Sequence, residues 1–218
     1  MGAERGPWFN QWAEKAGMPP GTLVHVGEED AEPTAVTVHD YGPEHVDHRT
    51  VETVDEAAEY VGTDSVTWIN LSGLRDVAAV ADLGEAFGIH QLLQEDILNT
   101  EQRPKLEEYD DHLFLLLKMF YYPDDDDVLH MEQVSLVLGE DYVLSFQESG
   151  TDVFDAIRTQ LDNAQSKLRN RGPDYLAYTL LDAVVDNYFV VMEQLGEDVE
   201  RLEASIVEDP ENAELDDI

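Results

Sequence analysis

The sequence predicts an α/β fold: an α/β/α sandwich around a mixed, largely antiparallel sheet, followed by one long helix. Three observations carry that prediction. Short runs rich in β-branched and apolar residues are separated by turn residues, as strands are. Other stretches repeat their apolar residues at helical spacing. Near the C-terminus a single helical stripe continues from Leu180 to Ile206.

The elements follow in order. The first twenty residues, aromatic and polar, read as an N-terminal arm. "GTLVHV" (21–26) and "TAVTVHDY" (34–41) read as strands, by β-branched content and alternation. "ETVDEAAEYVG" reads as a helix ending at Gly62. "SVTWINLSG" is a buried strand, "VAAVADLGEAFG" a helix, and "HQLLQEDIL" another that ends before Arg103–Pro104. "HLFLLLKMFYY", "HMEQVSLVLG" and "YVLSFQE" are joined by the short connectors "PDDDD" and "GED", which predicts an antiparallel meander. "VFDAIRTQLDNAQSKLRNRG" reads as one helix, and Pro173 suits the first turn of the next. In that helix Leu180, Val184, Tyr188, Val191, Leu195, Val199, Leu202 and Ile206 follow steps of three and four, so it should leave the domain and pack on another helix. The expected domains are an arm at 1–20, an α/β domain at 21–171 and a long helix at 172–218.

Of 218 residues, 43% are apolar, enough for a sizeable core. Asp and Glu total 49 against 12 Lys and Arg, a net charge of −37. Only four Lys occur: Lys15, Lys105, Lys118 and Lys167. Such a charge repels itself in dilute salt, whereas at molar ionic strength the Debye length falls to about 3 Å. The composition therefore reads as that of a halophile with a salt-filled cytoplasm. With no basic patch, nucleic acid and anionic membrane surfaces are not expected partners. The absence of Cys excludes disulfides and thiolate metal sites. No signal peptide is visible, and the longest apolar run, "LFLLL" at 113–117, is too short to span a bilayer. As given, the chain reads as soluble and intracellular.

Two carboxylate constellations stand out. Glu95 and Asp96 lie beside Leu92, Leu93, Ile97 and Leu98 at the end of a short helix. The plain alternative is a solvated helix face, which the composition favours. Asp182 and Asp186, four apart in "LLDAVVDNYFVV", share one face of the long helix and interrupt an apolar stretch. Like charges at that spacing repel, and carboxylates among apolar residues need a cation, a donor or a proton. His39, Asp40, His45 and His48 fit no metal-ligand spacing and read as a polar loop. "PDDDD" lacks the glycine and terminal glutamate of a calcium loop. No phosphate loop, nucleophile elbow or Ser–His–Asp pattern supports an enzyme.

The stretches "MPPGTLVHVG", "TWINLSGL", "LGEAFGIHQLLQEDILNTEQRPKLEEYDDHLFLLLKMFYY", "EQVSLVLGEDYVLSFQE", "DVFDAIR" and "PDYLAYTLLDAVVDNYFVVMEQLGEDVERLE" together resemble the cytoplasmic domain of the CorA magnesium channels. "EDILNTEQRPK" combined with "DYLAYTLLDAVVDNYF" is the most specific part. The resemblance implies a homopentamer in the cell membrane, with a cytoplasmic funnel of α/β/α domains whose long helices lead to the membrane. It implies Mg²⁺ as regulatory and transported ion, with Co²⁺ or Ni²⁺ substituting, and inter-subunit sites that sense intracellular Mg²⁺. The family's acidic pair maps onto Glu95 and Asp96 and a third ligand onto Asp182, with Asp186 as its neighbour. The family's pore helix, Gly-Met-Asn signature and second transmembrane helix are not in this sequence, so the chain reads as a cytoplasmic fragment. The acid that should face Asp96 would lie beyond Ile218. The rival reading is a soluble acidic interaction or ion-buffering protein of a halophile with no membrane partner.

The charge yields a test. Thermal melts across a KCl series should show the melting temperature falling as KCl is lowered, with millimolar Mg²⁺ partly restoring it. A melting temperature independent of salt would show that the acidity is not an adaptation to salt.

Overall fold

The computed structural model describes residues 17–19, 21–26, 33–60, 62, 64–122, 128–150 and 152–208. Most of the N-terminal arm, the "PDDDD" connector and residues 209–218 lie outside them.

Seven strands occur in chain order: β1 (Ala35–Tyr41), β2 (Val46–Val51), β3 (Val66–Ser72), β4 (Lys105–Glu108), β5 (Leu113–Tyr121), β6 (His130–Leu138) and β7 (Tyr142–Gln147). They form one sheet in the order β2-β1-β3-β7-β6-β5-β4. Neighbours are antiparallel except for the parallel pair β3–β7. The expected adjacency of "HLFLLLKMFYY" and "EQVSLVLG" is observed, with Leu115 opposite Leu136. The helices are α1 (Val54–Ala58), α2 (Val77–Ala86), α3 (Gln91–Leu98), α4 (Asp155–Asp162) and α5 (Pro173–Glu208).

Side chains alternate across a strand, so one apolar run can feed two cores. In β5, Phe114 and Leu116 join Val54, Leu83, Leu93 and Ile97 on the face covered by α1, α2 and α3. Leu115, Leu117 and Met119 join Ile157, Leu161, Leu176, Leu180 and Val184 on the face covered by α4 and α5. Each fully buried side chain of this size is worth about 1.5–3 kcal/mol relative to exposure. The result is the expected α/β/α sandwich.

The structure corrects four readings. "GTLVHV" is not a strand: only Val26 pairs, with Asn99, because its partner is the chain leaving α3 rather than another extended segment. The helix in "ETVDEAAEYVG" stops at Ala58, and Gly62 then takes a positive φ of 76° that favours glycine. "VFDAIRTQLDNAQSKLRNRG" is not one helix. It breaks at Asn163, whose side chain accepts the Gln165 N–H at 3.0 Å, and resumes as a single turn at Leu168–Asn170. Finally, "HDYGPEHVDH" is a hairpin: His39, Asp40 and Tyr41 lie on β1, as the strand over 34–41 predicted, and the rest is a turn and β2 rather than a polar loop. β1 turns through residues 42–45 into β2, and Gly42 N–H bonds to the His45 carbonyl at 3.0 Å. His39 is buried there, stacked on Trp68 at 4.9 Å and on His48 at 5.5 Å. Burial above all, and then Arg158, lowers its pKa to about 4, so it stays neutral.

α5 begins at Pro173, whose missing N–H is no loss in a first turn. Its stripe divides: Leu180 and Val184 are fully buried, whereas Leu195 is 50% exposed. Asn187 and Tyr188 anchor the helix further along, donating to the Phe120 and Lys118 carbonyls of β5.

A polar cluster joins the strand ends to α3. Gln133 of β6 donates through Nε2 to the Asp96 and Ile97 carbonyls, at 3.1 and 3.2 Å. Lys118 of β5 donates to the Thr100 carbonyl. Glu148, just after β7, accepts the Gln133 N–H at 2.5 Å. Burial pushes the Glu148 carboxyl up to about 7, outweighing its hydrogen bonds with Gln133 and Thr100 and the charge of Lys118, while Glu132 adds to the rise.

Two tests follow from these placements. Leu180→Ala should cost about 2–5 kcal/mol in urea denaturation, as buried Leu truncations do, while Leu195→Ala on the same stripe should cost under about 0.5. Equal effects would mean that the stripe is not divided. Glu148 in the folded chain holds its proton to about pH 7, above the range of about 4.3 for a free glutamate. The stability this supplies is fully present below the unfolded value and is lost as pH rises through the folded one. Glu148→Gln cannot ionise, so its advantage over wild type should grow between pH 5 and pH 8, to on the order of 2–3 kcal/mol. A difference that is flat across this window would show that Glu148 does not titrate there.

Candidate metal-binding carboxylates

α3 is positioned by its own sequence. His90 caps its start, with Nδ1 accepting the Leu92 N–H at 3.2 Å. Leu93 and Ile97, four apart, face the core, and so do Gln94 and Leu98. Gln94 donates to the Ile89 carbonyl at 2.8 Å and lies against Gly84 of α2, where a Cβ would stand 2.0 Å from its Nε2. Any larger residue at position 84 would displace the Gln94 side chain from this place. The buried face leaves Glu95 and Asp96 half-exposed on the other side.

Each of the two carboxylates is held. Glu95 accepts the Gly21 N–H at 2.7 Å, and Gly21 has a φ of +84° that suits glycine alone. The "GTLVHV" segment therefore serves Glu95 rather than a sheet. Asp96 accepts from Gln102 Nε2 at 2.9 Å through one oxygen and from Lys105 Nζ at 2.7 Å through the other. Lys105 lies in β4 and also bonds Glu107 at 3.0 Å. Burial opposes the charge of Lys105, but hydrogen bonds to Asp96 and Glu107 prevail and raise its pKa. Lys105 first, and then Tyr109, holds the Glu107 carboxyl below its usual range, with burial opposing.

Asp182 and Asp186 lie on the exposed side of α5, beside the exposed Tyr178, Val185 and Phe189. The Asp182 charge raises the pKa of the Tyr178 hydroxyl. Among the described residues no three His, Asp or Glu side chains converge as one ion would need. The α3 acids and the α5 acids thus do not make a joint centre within one chain. Each pair can offer a cation carboxylate oxygens, and each needs further ligands from water or from another chain. The site fits a cation in one further respect: an ammonium group already sits on Asp96.

Glu108, Asp110 and Asp111 are exposed and line an open depression with His112 and Glu140. Glu107, grouped with them in the sequence, belongs instead to the Asp96–Lys105 network. Lys105 and Gln102 escaped notice as parts of the site. A lysine in a chain with only four was the available signal.

No helix among the described residues is long and apolar enough to cross a membrane. The model of the CorA-like Mg²⁺ transporter protein family matches residues 63–218. The cobalt/magnesium transport protein CorA of Thermotoga maritima is 41% identical over 199 residues, which are 90% of this chain and 56% of that protein. The soluble domain of CorA from Methanocaldococcus jannaschii superposes with a TM-score of 0.59 at 14% identity, covering 80% of this chain and 64% of that one. The complete CorA magnesium transporter of the same organism gives 0.58 at 16% identity, covering 79% of this chain and 51% of that one. The chain thus spans 51–64% of these relatives, and at 14–16% identity the two solved structures speak for the fold alone. With the family match running from just before β3 to the last residue, and the fold shared, this chain belongs to the CorA-like Mg²⁺ transporter family.

Proposed function

We propose that this chain is the cytoplasmic Mg²⁺-sensing part of a CorA-type divalent cation channel that acts as a homopentamer in the cell membrane. Mg²⁺ is also the cargo of such a channel, and Co²⁺ or Ni²⁺ can substitute. The observation that carries the reading is the placement of Asp96: a partly exposed carboxylate, held by Gln102 and Lys105, with a cation already against it. Family membership and the name of the Thermotoga relative support it.

Asp96, with Glu95 beside it, supplies a half-site that an acid of the neighbouring subunit completes. Asp182 contributes a second site on α5, with Asp186 next to it. Mg²⁺ holds several of its waters and takes only one or two carboxylates, which suits a junction between subunits. With the ion bound, opposed carboxylates are bridged; without it they repel and the interface loosens. Mg²⁺ thus favours the closed pentamer by binding it better than the open one. The exposed apolar residues of α5, Phe189, Met192, Leu195 and Val199 among them, are where that helix meets others of the pentamer.

The test is Mg²⁺-dependent protease protection of the pentameric protein that contains this domain. Asp96→Asn should keep the fold and raise the Mg²⁺ needed for protection by about tenfold or more, the scale on which ligand-sphere changes alter metal affinity. Asp182→Asn should act in the same direction and more weakly. Asp110→Asn, on the open acidic surface, should change little. If Asp110→Asn matches Asp96→Asn, the protein responds through bulk charge and the site is wrong.

A further inference from the structure

We propose that Lys105 is the metal-free counter-cation of Asp96, and that a divalent ion arriving at Asp96 competes with its ammonium group, so that Lys105 sets the metal concentration at which the site fills. This rests on the reading of Asp96 as a metal ligand.

Three observations carry it. The first is position. Asp96 lies in the last turn of α3, at the negative end of the helix dipole, where a carboxylate is disfavoured. A cation is favoured there, and Lys105 supplies it at 2.7 Å. The second is economy of charge. The chain has 12 basic residues for 49 acids, so most acids go without a cation, yet this one is committed to Asp96. The third is the second anchor. Lys105 also bonds Glu107 at 3.0 Å and lies 5.5 Å from the Phe114 ring centroid. An ammonium group that gives up Asp96 therefore keeps a partner and need not return to solvent.

The chemistry makes the two cations exclusive. Mg²⁺ takes carboxylate oxygens at about 2.0–2.1 Å in a near-octahedral shell. An ammonium hydrogen-bonded to the same carboxylate oxygen blocks that approach and repels the ion. When metal takes Asp96, Lys105 stays on Glu107 alone. Partly exposed ion pairs contribute roughly 0.2–1 kcal/mol. Competition of that size, together with the lost repulsion, raises the metal concentration for half-filling by about three- to tenfold.

Mn²⁺ serves as the probe, because it broadens the NMR signals of nearby amides. The pentameric protein that contains this domain, in which a neighbouring subunit completes the Asp96 site, is titrated in molar KCl, which screens the bulk acidic surface. The readout is the Mn²⁺ concentration that half-broadens the amides of residues 95–97, with residues 110–111 as internal reference. Lys105→Met should lower this midpoint about three- to tenfold, and Lys105→Arg should stay near wild type. Lys167→Met removes the same charge at an exposed site away from Asp96 and should shift the midpoint less than about twofold. In an Asp96→Asn background Lys105→Met should have no further effect. If residues 95–97 broaden first but Lys105→Met behaves as Lys167→Met, the role of Lys105 is overturned and the site stands. If residues 95–97 broaden no earlier than residues 110–111, the site itself fails and Lys105 with it. Amide spectra of each variant show whether it is folded.

Discussion

Two antiparallel half-sheets, β2-β1-β3 and β7-β6-β5-β4, meet along one parallel seam between β3 and β7, and the rest of the molecule hangs on it. The seam joins residues more than seventy positions apart, such as Asn70 and Ser145. On one face a buried polar line pins it: Trp68 Nε1 donates to Ser145 Oγ at 2.8 Å, and that hydroxyl donates to Asn70 Oδ1 at 2.6 Å. On the other face Ile69, Leu71, Leu144 and Phe146 pack under the helices. A slip of one residue would exchange these two sets and leave buried polar groups without partners, so the register is strongly specified. Without the seam the two half-sheets would part, and the helix layers on the sheet's two faces would lose their common frame.

The frame matters because it delivers cations to chosen acids. β5 and β6 carry Lys118 and Gln133 to the end of α3, where they hold its last carbonyls and the Thr100 turn. β4 carries Lys105 to Asp96. Arg169, buried behind the hairpin, bonds the Gly42 carbonyl at 3.1 Å. Arg158 reaches both Asp155 and the face of Trp68. In a chain this acidic several of the described cations, Lys105, Lys118, Arg158 and Arg169 among them, are spent on particular contacts. Isolated exposed pairs of this kind add little stability, so their value at α3 is positional.

Reading from residues succeeded where burial constrains both faces and failed where it constrains neither. β3, β5, β6 and β7 lie inside the sheet, and their apolar runs were legible. The edge strands β2, "VDHRTV", and β4, "KLEE", were not. Edges are charged and half-solvated, which also discourages unwanted pairing, so they look like loops. "GTLVHV" erred the other way: its β-branched content was strand-like, but no strand lay beside it to accept a ladder. The long helix was read correctly in period, but periodicity could not tell that its stripe passes from the core to exposed positions between Val184 and Leu195.

The sequence by itself determined the two-faced sheet, the long helix, the charge and the acidic motif, because each is written in local spacing and composition. Family resemblance singled out Glu95 and Asp96 from a crowd of equivalent acids; spacing alone did not. Only the tertiary structure decided that Lys105 pairs Asp96 with Glu107, that Gly21 reaches Glu95, and that Glu148 keeps its proton to about pH 7. These are matters of through-space distance and of water excluded by distant segments. A linear pattern records neither.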